Sequence, residues 1–211
     1  MKNRFSPEYY DTIIFDLGEV IVNLDSQAVI SRLMSLSENK EVDFKKLIVT
    51  SPILQLFETG KISEAEFRKE MKALLNMQIP DNEFDEIWNA MLKSIPRNKL
   101  DLMKTLQSSY RVLILSNTNI IHQRKFDEMV GEIAEGRKMS DFVDFAHYSH
   151  DLGYRKPNPD IYKEVIDRHD LIPKRTIFLD DRPENIESAK SLGIEAIRVE
   201  YPDQIFDILG V

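Results

Sequence analysis

Residues 13–20 read Ile13-Ile14-Phe15-Asp16-Leu17-Gly18-Glu19-Val20, an apolar run that ends abruptly on a carboxylate and a glycine. A run of isoleucine and phenylalanine is typical of a strand that is covered on both faces of a sheet. Asp16 would then stand at the open end of this strand. Capping of a turn or helix alone would explain an aspartate there, so its role depends on the rest of the chain.

The composition predicts a soluble globular protein. The 211 residues are 42% hydrophobic and 30% charged, enough for a core domain that carries a small second one. The net charge of -8 argues against nucleic acid as a partner. The chain has no cysteine, which excludes disulfides, thiolate metal sites and thiol catalysis.

No targeting or membrane segment is evident in the sequence. The first ten residues lack the apolar core of a signal peptide, and no stretch approaches the roughly 18 apolar residues of a membrane span. We therefore expect a cytoplasmic protein, a monomer or homodimer, with no membrane partner.

From residue 23 to residue 95 the apolar residues recur at helical spacing and no strand pattern interrupts them. The predicted helix starts are Ser26, Asp43, Ser63 and the residues after Pro80. Ser63 and Glu66 have the spacing of a capping box. Gly60 marks a turn, and the turn over residues 57–60 is a candidate substrate contact. We call residues 23–95 the helical insert and expect it to be a small domain between two parts of a core domain, residues 1–22 and 96–211.

After Pro96 strands and helices alternate, which predicts an α/β fold with a mainly parallel sheet. The predicted strands cover residues 111–116, 142–146, 176–179 and 196–199. Polar side chains follow three of the buried strands, at Asp16, Ser116 and Asp180-Asp181. Because the carboxyl ends of parallel strands meet at one edge of a sheet, we expect these groups to lie together.

Such a cluster has the parts that phosphoryl transfer requires. Asp16 could attack phosphorus to give an aspartyl-phosphate. With Asp180 and Asp181 it would supply hard oxygen ligands for Mg²⁺, and three crowded carboxylates predict a bound cation. Ser116 and the backbone N–H groups after it can hold phosphoryl oxygens, and Lys156 can neutralise the transferring group.

Four segments of the chain resemble the four motifs of the haloacid dehalogenase-like hydrolase superfamily. They are Phe-Asp-Leu-Gly-Glu-Val-Ile-Val from residue 15, Leu-Ser-Asn-Thr-Asn from residue 115, Gly-Tyr-Arg-Lys-Pro-Asn-Pro-Asp from residue 153 and Phe-Leu-Asp-Asp-Arg-Pro-Glu-Asn from residue 178. The resemblance implies a Rossmann-like core with an inserted helical cap domain. Within the superfamily the chain is most similar to bacterial sugar-1-phosphate phosphatases, such as those for glucose 1-phosphate, and to the N-terminal phosphatase domain of soluble epoxide hydrolase.

The resemblance also implies roles for individual residues. Asp16 would be the nucleophile, Ser116 and Asn117 would bind phosphate, and Lys156 would stabilise it. Asp181 would be the main acidic metal ligand beside Asp180, assisted by Asp16 and the backbone carbonyl of Gly18. Asn185 would support these ligands from outside. The implied cofactor is Mg²⁺ and the implied partner is a small phosphorylated substrate.

Gly18 departs from the family pattern, in which most phosphatases carry a second aspartate at this position. The side chain of that aspartate protonates the leaving oxygen and later activates water, work that typically supplies about 10²- to 10⁴-fold in rate. The loss is best tolerated when the leaving group needs little protonation, as in an anomeric, acyl or aryl phosphate. Glu19 is a candidate substitute, but in an extended chain it would point the opposite way. His122 is a further candidate near the site, although a structural role is the simpler interpretation.

Three functional hypotheses stay open at this point. The main one is a Mg²⁺-dependent phosphatase that forms phospho-Asp16 and acts on a small metabolite such as a hexose 1-phosphate. The second is a dehalogenase in which Asp16 attacks carbon, a reaction that needs no divalent cation. The third is a non-catalytic binder of phosphate or a metabolite, in which Gly18 marks lost chemistry.

Overall fold

The computed structural model describes residues 5–39 and 41–210. Residues 1–4 and 211, which the predicted core domain includes, and residue 40 of the helical insert lie outside the described residues. The strands are β1 (Thr12–Phe15), β2 (Asn23–Leu24), β3 (Leu92–Ser94), β4 (Arg111–Ser116), β5 (Phe145–Tyr148), β6 (Thr176–Asp180) and β7 (Glu195–Arg198).

The helices of the described ranges fall into two groups along the chain. Those of the helical insert are α1 (Ser26–Leu36), α2 (Phe44–Thr50), α3 (Pro52–Glu58), α4 (Glu64–Leu75) and α5 (Asp81–Asn89). Those that follow are α6 (Arg97–Leu106), α7 (Ile120–Ile133), α8 (Ser149–Leu152), α9 (Pro159–His169), α10 (Pro183–Ser191) and α11 (Gln204–Leu209). Short 3-10 helices span Met139–Phe142 and Pro173–Arg175.

The predicted α/β fold with a mainly parallel sheet is confirmed. The strands run in the order β5-β4-β1-β6-β7, and each neighbouring pair is parallel. Strand β1 lies at the centre, where Ile13 and Phe15 pack into the apolar core on one face and Ile14 into the core on the other. Burial on both faces explains why the sequence of β1 is apolar without alternation.

The helical insert has an apolar core, to which Ile121 of α7 also contributes. The rings of Phe57 and Phe67 stack with their centroids 4.1 Å apart, and Trp88 meets Phe67 edge-on at 5.1 Å. The capping box of Ser63 and Glu66 is present at the start of α4. The predicted cap at Ser26 is wrong, because Asp25 accepts the hydrogen bond from the Ala28 N–H and Ser26 is the first helical residue.

The expectation of an insert without strands is also wrong. Strands β2 and β3 form an antiparallel pair at the two ends of the insert, where the chain leaves the five-stranded sheet and returns to it. The Asn23 side chain donates a hydrogen bond to the Ser94 hydroxyl at 3.0 Å. Strands this short carry no readable period. Helix α3 was not predicted, because Ser51-Pro52 suggests a helix end. Pro52 instead occupies the first turn of α3, with Ser51 as its N-cap.

The strand predicted over residues 142–146 lies further along the chain. Strand β5 begins at Phe145, and the loop predicted after it contains the short helix α8. The alternation was misleading because Phe142 and Val143 are buried ahead of the strand. The Asp144 carboxylate accepts a hydrogen bond from the Val112 N–H at 2.7 Å. Among the described residues, no helix combines the length and the apolar character needed to cross a membrane.

Gly60 allows the insert to pack closely on α8. Its φ is +64°, and a Cβ atom at this position would lie 2.3 Å from the carbonyl oxygen of His150. Only a residue without a side chain fits such a contact with a backbone atom. The turn between α3 and α4 is therefore held against the core domain.

Replacing Gly60 with alanine should destabilise the protein more than the same change at Gly153. Gly153 also has a positive φ, +77°, but an added methyl group there meets nothing within 4 Å. In both variants the alanine must adopt a left-handed backbone conformation, which costs about 1–2 kcal/mol. Gly60→Ala should lower the free energy of unfolding by about 1–3 kcal/mol more, because of the clash. Urea denaturation measures this, and equal losses for the two variants would contradict the close contact.

Candidate active site

The buried ammonium group of Lys156 joins the ends of three strands. Its Nζ lies 2.8 Å from Asp16 Oδ1 and 2.7 Å from Asp180 Oδ2, and it donates to the Leu115 carbonyl oxygen at 2.7 Å. Lys156 is 2% exposed and Asp180 is fully buried. The loop that follows α8 therefore delivers the lysine to the carboxyl ends of β1, β4 and β6, as the topology predicts.

The charges of the cluster are strongly coupled. Burial raises the pKa of Asp16 to about 7, although Lys156 opposes the shift. Burial and the neighbouring Asp180 raise the pKa of Asp181 to about 6. Burial alone would lower the pKa of Lys156, but the charges of Asp16 and Asp180 hold it above its usual value. Lys156 is thus protonated, and its one positive charge lies among three carboxyl groups.

Asp180 is an anchor within the cluster. Besides Lys156, its carboxylate accepts hydrogen bonds from the Arg182 N–H at 2.9 Å and from the Asn185 side chain at 2.9 and 3.0 Å. Asn185 is itself buried at the start of α10. Asp181, by contrast, lines an open cavity together with Asp16 and Lys156, which we call the nucleophile cavity.

The carboxylates fit a hard divalent cation. Asp16, Asp180 and Asp181 each offer an oxygen atom, and these atoms lie within 4.8 Å of one another. A set made only of oxygen atoms suits Mg²⁺. One lysine cannot balance three carboxylates, so a cation among them would relieve their repulsion. The residues present could therefore hold Mg²⁺.

Ser116 is the last residue of β4 and Asn117 follows it, at the same edge of the sheet. Ser116 is buried and lines a second cavity, whose walls include Leu54, Trp88 and Phe126. We call it the apolar cavity because most of its surface is apolar. The Asn117 side chain donates to the Lys156 carbonyl oxygen and accepts from the Lys156 N–H, each at 2.8 Å. The side-chain amide of Asn117 therefore holds the backbone of the lysine.

The expectation for Glu19 assumed an extended chain after Asp16, and that assumption is wrong. The chain is not extended after Asp16, because the Leu17 carbonyl oxygen accepts hydrogen bonds from the Ile21 and Val22 N–H groups. Glu19 has a φ of +56° and lines the nucleophile cavity with Asp16. Its carboxylate also accepts a hydrogen bond from the Leu24 N–H at 3.3 Å. Gly18 lines both cavities.

His122 lies in the wall of the apolar cavity and is tied into the structure on several sides. Its ring stacks on Trp88 at a centroid distance of 5.6 Å, and Nε2 lies 3.2 Å from the Trp88 carbonyl oxygen. Asn119, the N-cap of α7, accepts a hydrogen bond from the His122 backbone N–H. Burial lowers the pKa of His122 to about 4, so the ring is neutral at pH 7. These contacts favour the structural interpretation.

Sequence reasoning included Glu58 only within the candidate turn over residues 57–60 and did not identify Arg155 as part of the site. Glu58 ends α3 in the insert, Arg155 precedes Lys156, and both line the nucleophile cavity. The turn over residues 57–60 was the available signal for Glu58. Nothing in the sequence pairs it with Arg155, because that contact spans the boundary between insert and core.

Comparisons with known proteins agree with this geometry. A family model described as haloacid dehalogenase-like hydrolase matches residues 10–193. The D-ribitol-5-phosphate phosphatase of Bacteroides thetaiotaomicron is 32% identical over 191 residues, which cover 89% of this chain and 91% of the relative.

Two solved structures resemble the whole chain. A predicted HAD-like family hydrolase from Porphyromonas gingivalis has a TM-score of 0.85 and 27% identity, covering 95% of this chain and 96% of its own. A HAD family enzyme from Bacteroides thetaiotaomicron, in complex with magnesium and inorganic phosphate, has a TM-score of 0.79 and 32% identity. That match covers 90% of this chain and 93% of the enzyme.

Replacing Lys156 with methionine should destabilise the metal-free protein by about 3–5 kcal/mol, because it leaves buried carboxylates uncompensated. Urea denaturation in the presence of EDTA measures this. Lys163→Met is the matched control, since Lys163 forms only an exposed ion pair with Asp160 and its loss should cost less than about 1 kcal/mol. Similar losses for both variants would contradict the role of Lys156 in balancing the charges.

Proposed function

The chain belongs to the haloacid dehalogenase-like hydrolases, and from that premise we propose that it is a Mg²⁺-dependent phosphatase of a small phosphorylated metabolite. The observation that carries the proposal is Lys156 bound between Asp16 and Asp180, beside oxygen atoms that could hold a cation. A similar protein is named as a phosphatase of D-ribitol 5-phosphate, and a similar structure contains magnesium and phosphate. These names favour a sugar or sugar-alcohol phosphate as substrate.

Catalysis would proceed in two displacements at phosphorus. An Asp16 oxygen forms a bond to phosphorus while the ester P–O bond breaks, and the alcohol oxygen leaves with the electron pair and takes a proton from solvent. Water then attacks the phosphorus of phospho-Asp16, which releases inorganic phosphate and regenerates the carboxylate. Lys156 and the backbone N–H groups after Ser116 neutralise and orient the phosphoryl oxygens. Mg²⁺, when bound, offsets the repulsion between the phosphoryl group and the carboxylates.

The backbone carbonyl oxygen of Gly18 could bind the cation. Gly18 has no side chain, however, that could donate a proton to the departing alcohol. Anomeric, acyl and aryl phosphates, whose leaving groups need little protonation, should therefore react fastest, and the primary alkyl ester of a sugar alcohol should react more slowly. An added Cβ at Gly18 would meet only the tip of the Leu24 side chain, at 3.1 Å. A flexible side chain can move by a few tenths of an ångström, so an aspartate at this position is compatible with the packing.

The helical insert, residues 23–95, would act as a cap that selects the leaving group. Ile48, Glu58 and Met91 of the insert line the same cavity as Asp16, which supports this assignment. A cap over the site also keeps bulk water from the reacting phosphorus. The core domain of residues 1–22 and 96–211 would then supply the chemistry, and the insert the choice of substrate.

The two rival hypotheses differ from this one in what they require. Displacement of halide from carbon needs no cation, so a dehalogenase leaves the carboxylates of Asp180 and Asp181 without a chemical role. A non-catalytic binder would need the same phosphate contacts but no nucleophile. The phosphatase hypothesis uses all of these groups, and for that reason we favour it.

Asp16→Asn should lower kcat/KM for p-nitrophenyl phosphate by at least roughly 10³-fold. EDTA should abolish turnover by the native protein, and added Mg²⁺ should restore it. Asp167→Asn, a change at an exposed aspartate on α9, is the control and should have no effect.

Two outcomes would contradict the phosphatase proposal. Activity indifferent to EDTA would favour a dehalogenase. Trapping of beryllium fluoride by the native protein with Mg²⁺, without Asp16-dependent turnover of any phosphate ester, would favour a binder.

Gly18→Asp should restore an acid and raise kcat on simple alkyl phosphates by about tenfold or more, with a smaller effect on p-nitrophenyl phosphate. Gly18→Asn has the same shape without the acid and should not produce the gain. Steady-state kinetics on both esters measure the difference. An equal effect on the two esters would contradict the leaving-group argument.

A further inference from the structure

We propose that Glu58 and Arg155 form a polar clamp that binds the hydroxyl groups of a polyhydroxylated leaving group. The inference rests on the proposed function and identifies residues that would set its specificity. The clamp joins the two parts of the fold, since Glu58 ends α3 in the insert and Arg155 lies in the core loop that carries Lys156.

The pair lies beside the reacting groups. A terminal nitrogen of the Arg155 guanidinium is 3.0 Å from Glu58 Oε2, and the side chains are 20% and 12% exposed. Both side chains line the nucleophile cavity with Asp16. Glu58 also lines the apolar cavity. It therefore stands where a leaving group attached to a phosphate at Asp16 would extend.

The clamp carries unused hydrogen-bonding capacity. Within the described part of the chain, Glu58 Oε2 and Arg155 Nε are buried without a hydrogen-bond partner, although the two groups are close enough for an ion pair. An unmet buried polar atom typically costs about 1–3 kcal/mol. A hydroxyl group can donate to a carboxylate oxygen and accept from a guanidinium N–H. Hydroxyls on adjacent carbons would therefore satisfy both atoms.

The charge of Glu58 points to the alcohol rather than to the phosphate. A carboxylate repels a phosphoryl group, so it gains nothing from phosphate binding. Burial raises the pKa of Glu58, whereas Arg155 and Arg182 oppose that shift. Both cavities are also lined by the apolar side chains of Leu24, Ile48 and Met91, together with Gly18 and Asn117. A leaving group there would find apolar contact along its carbon chain and polar contact at the clamp.

The test compares ribitol 5-phosphate with n-pentyl phosphate, which has the same carbon chain without hydroxyls. The native protein should prefer ribitol 5-phosphate in kcat/KM by roughly 10- to 100-fold, the value of hydrogen bonds to charged groups. Glu58→Gln, Glu58→Ala and Arg155→Met should each reduce that preference toward one, mainly by raising KM for ribitol 5-phosphate. On p-nitrophenyl phosphate, whose leaving group carries no hydroxyls for the pair to bind, each variant should lose less kcat/KM than on ribitol 5-phosphate. Glu70→Ala, at an exposed position on α4, is the matched control.

The outcomes separate the clamp from the proposed function. If no ester is turned over in an Asp16-dependent way, both proposals are wrong. If p-nitrophenyl phosphate is hydrolysed but the native protein shows no preference for ribitol 5-phosphate, or the variants keep that preference, only the clamp is wrong. Equal losses on ribitol and pentyl phosphates would also overturn it, because Glu58 would then act on bond cleavage and not on hydroxyl groups.

Discussion

The site depends on one buried cation shared by two buried carboxylates. Lys156 brings together the ends of β1 and β6 because its ammonium group contacts both Asp16 and Asp180. Each partner is held in turn: Asn117 binds the lysine backbone, and Asn185 binds Asp180. Removing the lysine would leave buried carboxylates without a compensating charge, so the fold and the proposed chemistry depend on the same residue.

Much of this arrangement could be predicted from the sequence. Strands β1, β4 and β6 are apolar runs that stop on polar residues, and a parallel sheet gathers such ends at one edge. The capping box of Ser63 and Glu66 could also be predicted, because both residues lie at the start of the same helix. The features that could be predicted therefore depend on patterns within one element, or on the rule that the carboxyl ends of parallel strands lie at one edge of the sheet.

The remaining features depend on geometry that has no local signal. The chain turns after Leu17 instead of continuing extended, so the alternation assumed for Glu19 does not apply. Strands β2 and β3 are too short to show a period, and they exist because distant segments pair. Glu58 meets Arg155 across the boundary between insert and core. Such long-range contacts follow from the packing of whole elements, which a single sequence does not reveal.

The pairing of Asn23 with Ser94 has a consequence for how proteins of this type can diversify. The chain leaves the five-stranded sheet through β2 and returns to it through β3, and these two strands are paired with each other. The polypeptide between them can therefore change in length or composition without moving β1 relative to β4. Mutation and recombination within that segment could create new substrate preferences while the reaction centre is inherited intact. Under the proposed function, the short β2–β3 ribbon would allow selectivity to evolve separately from catalysis.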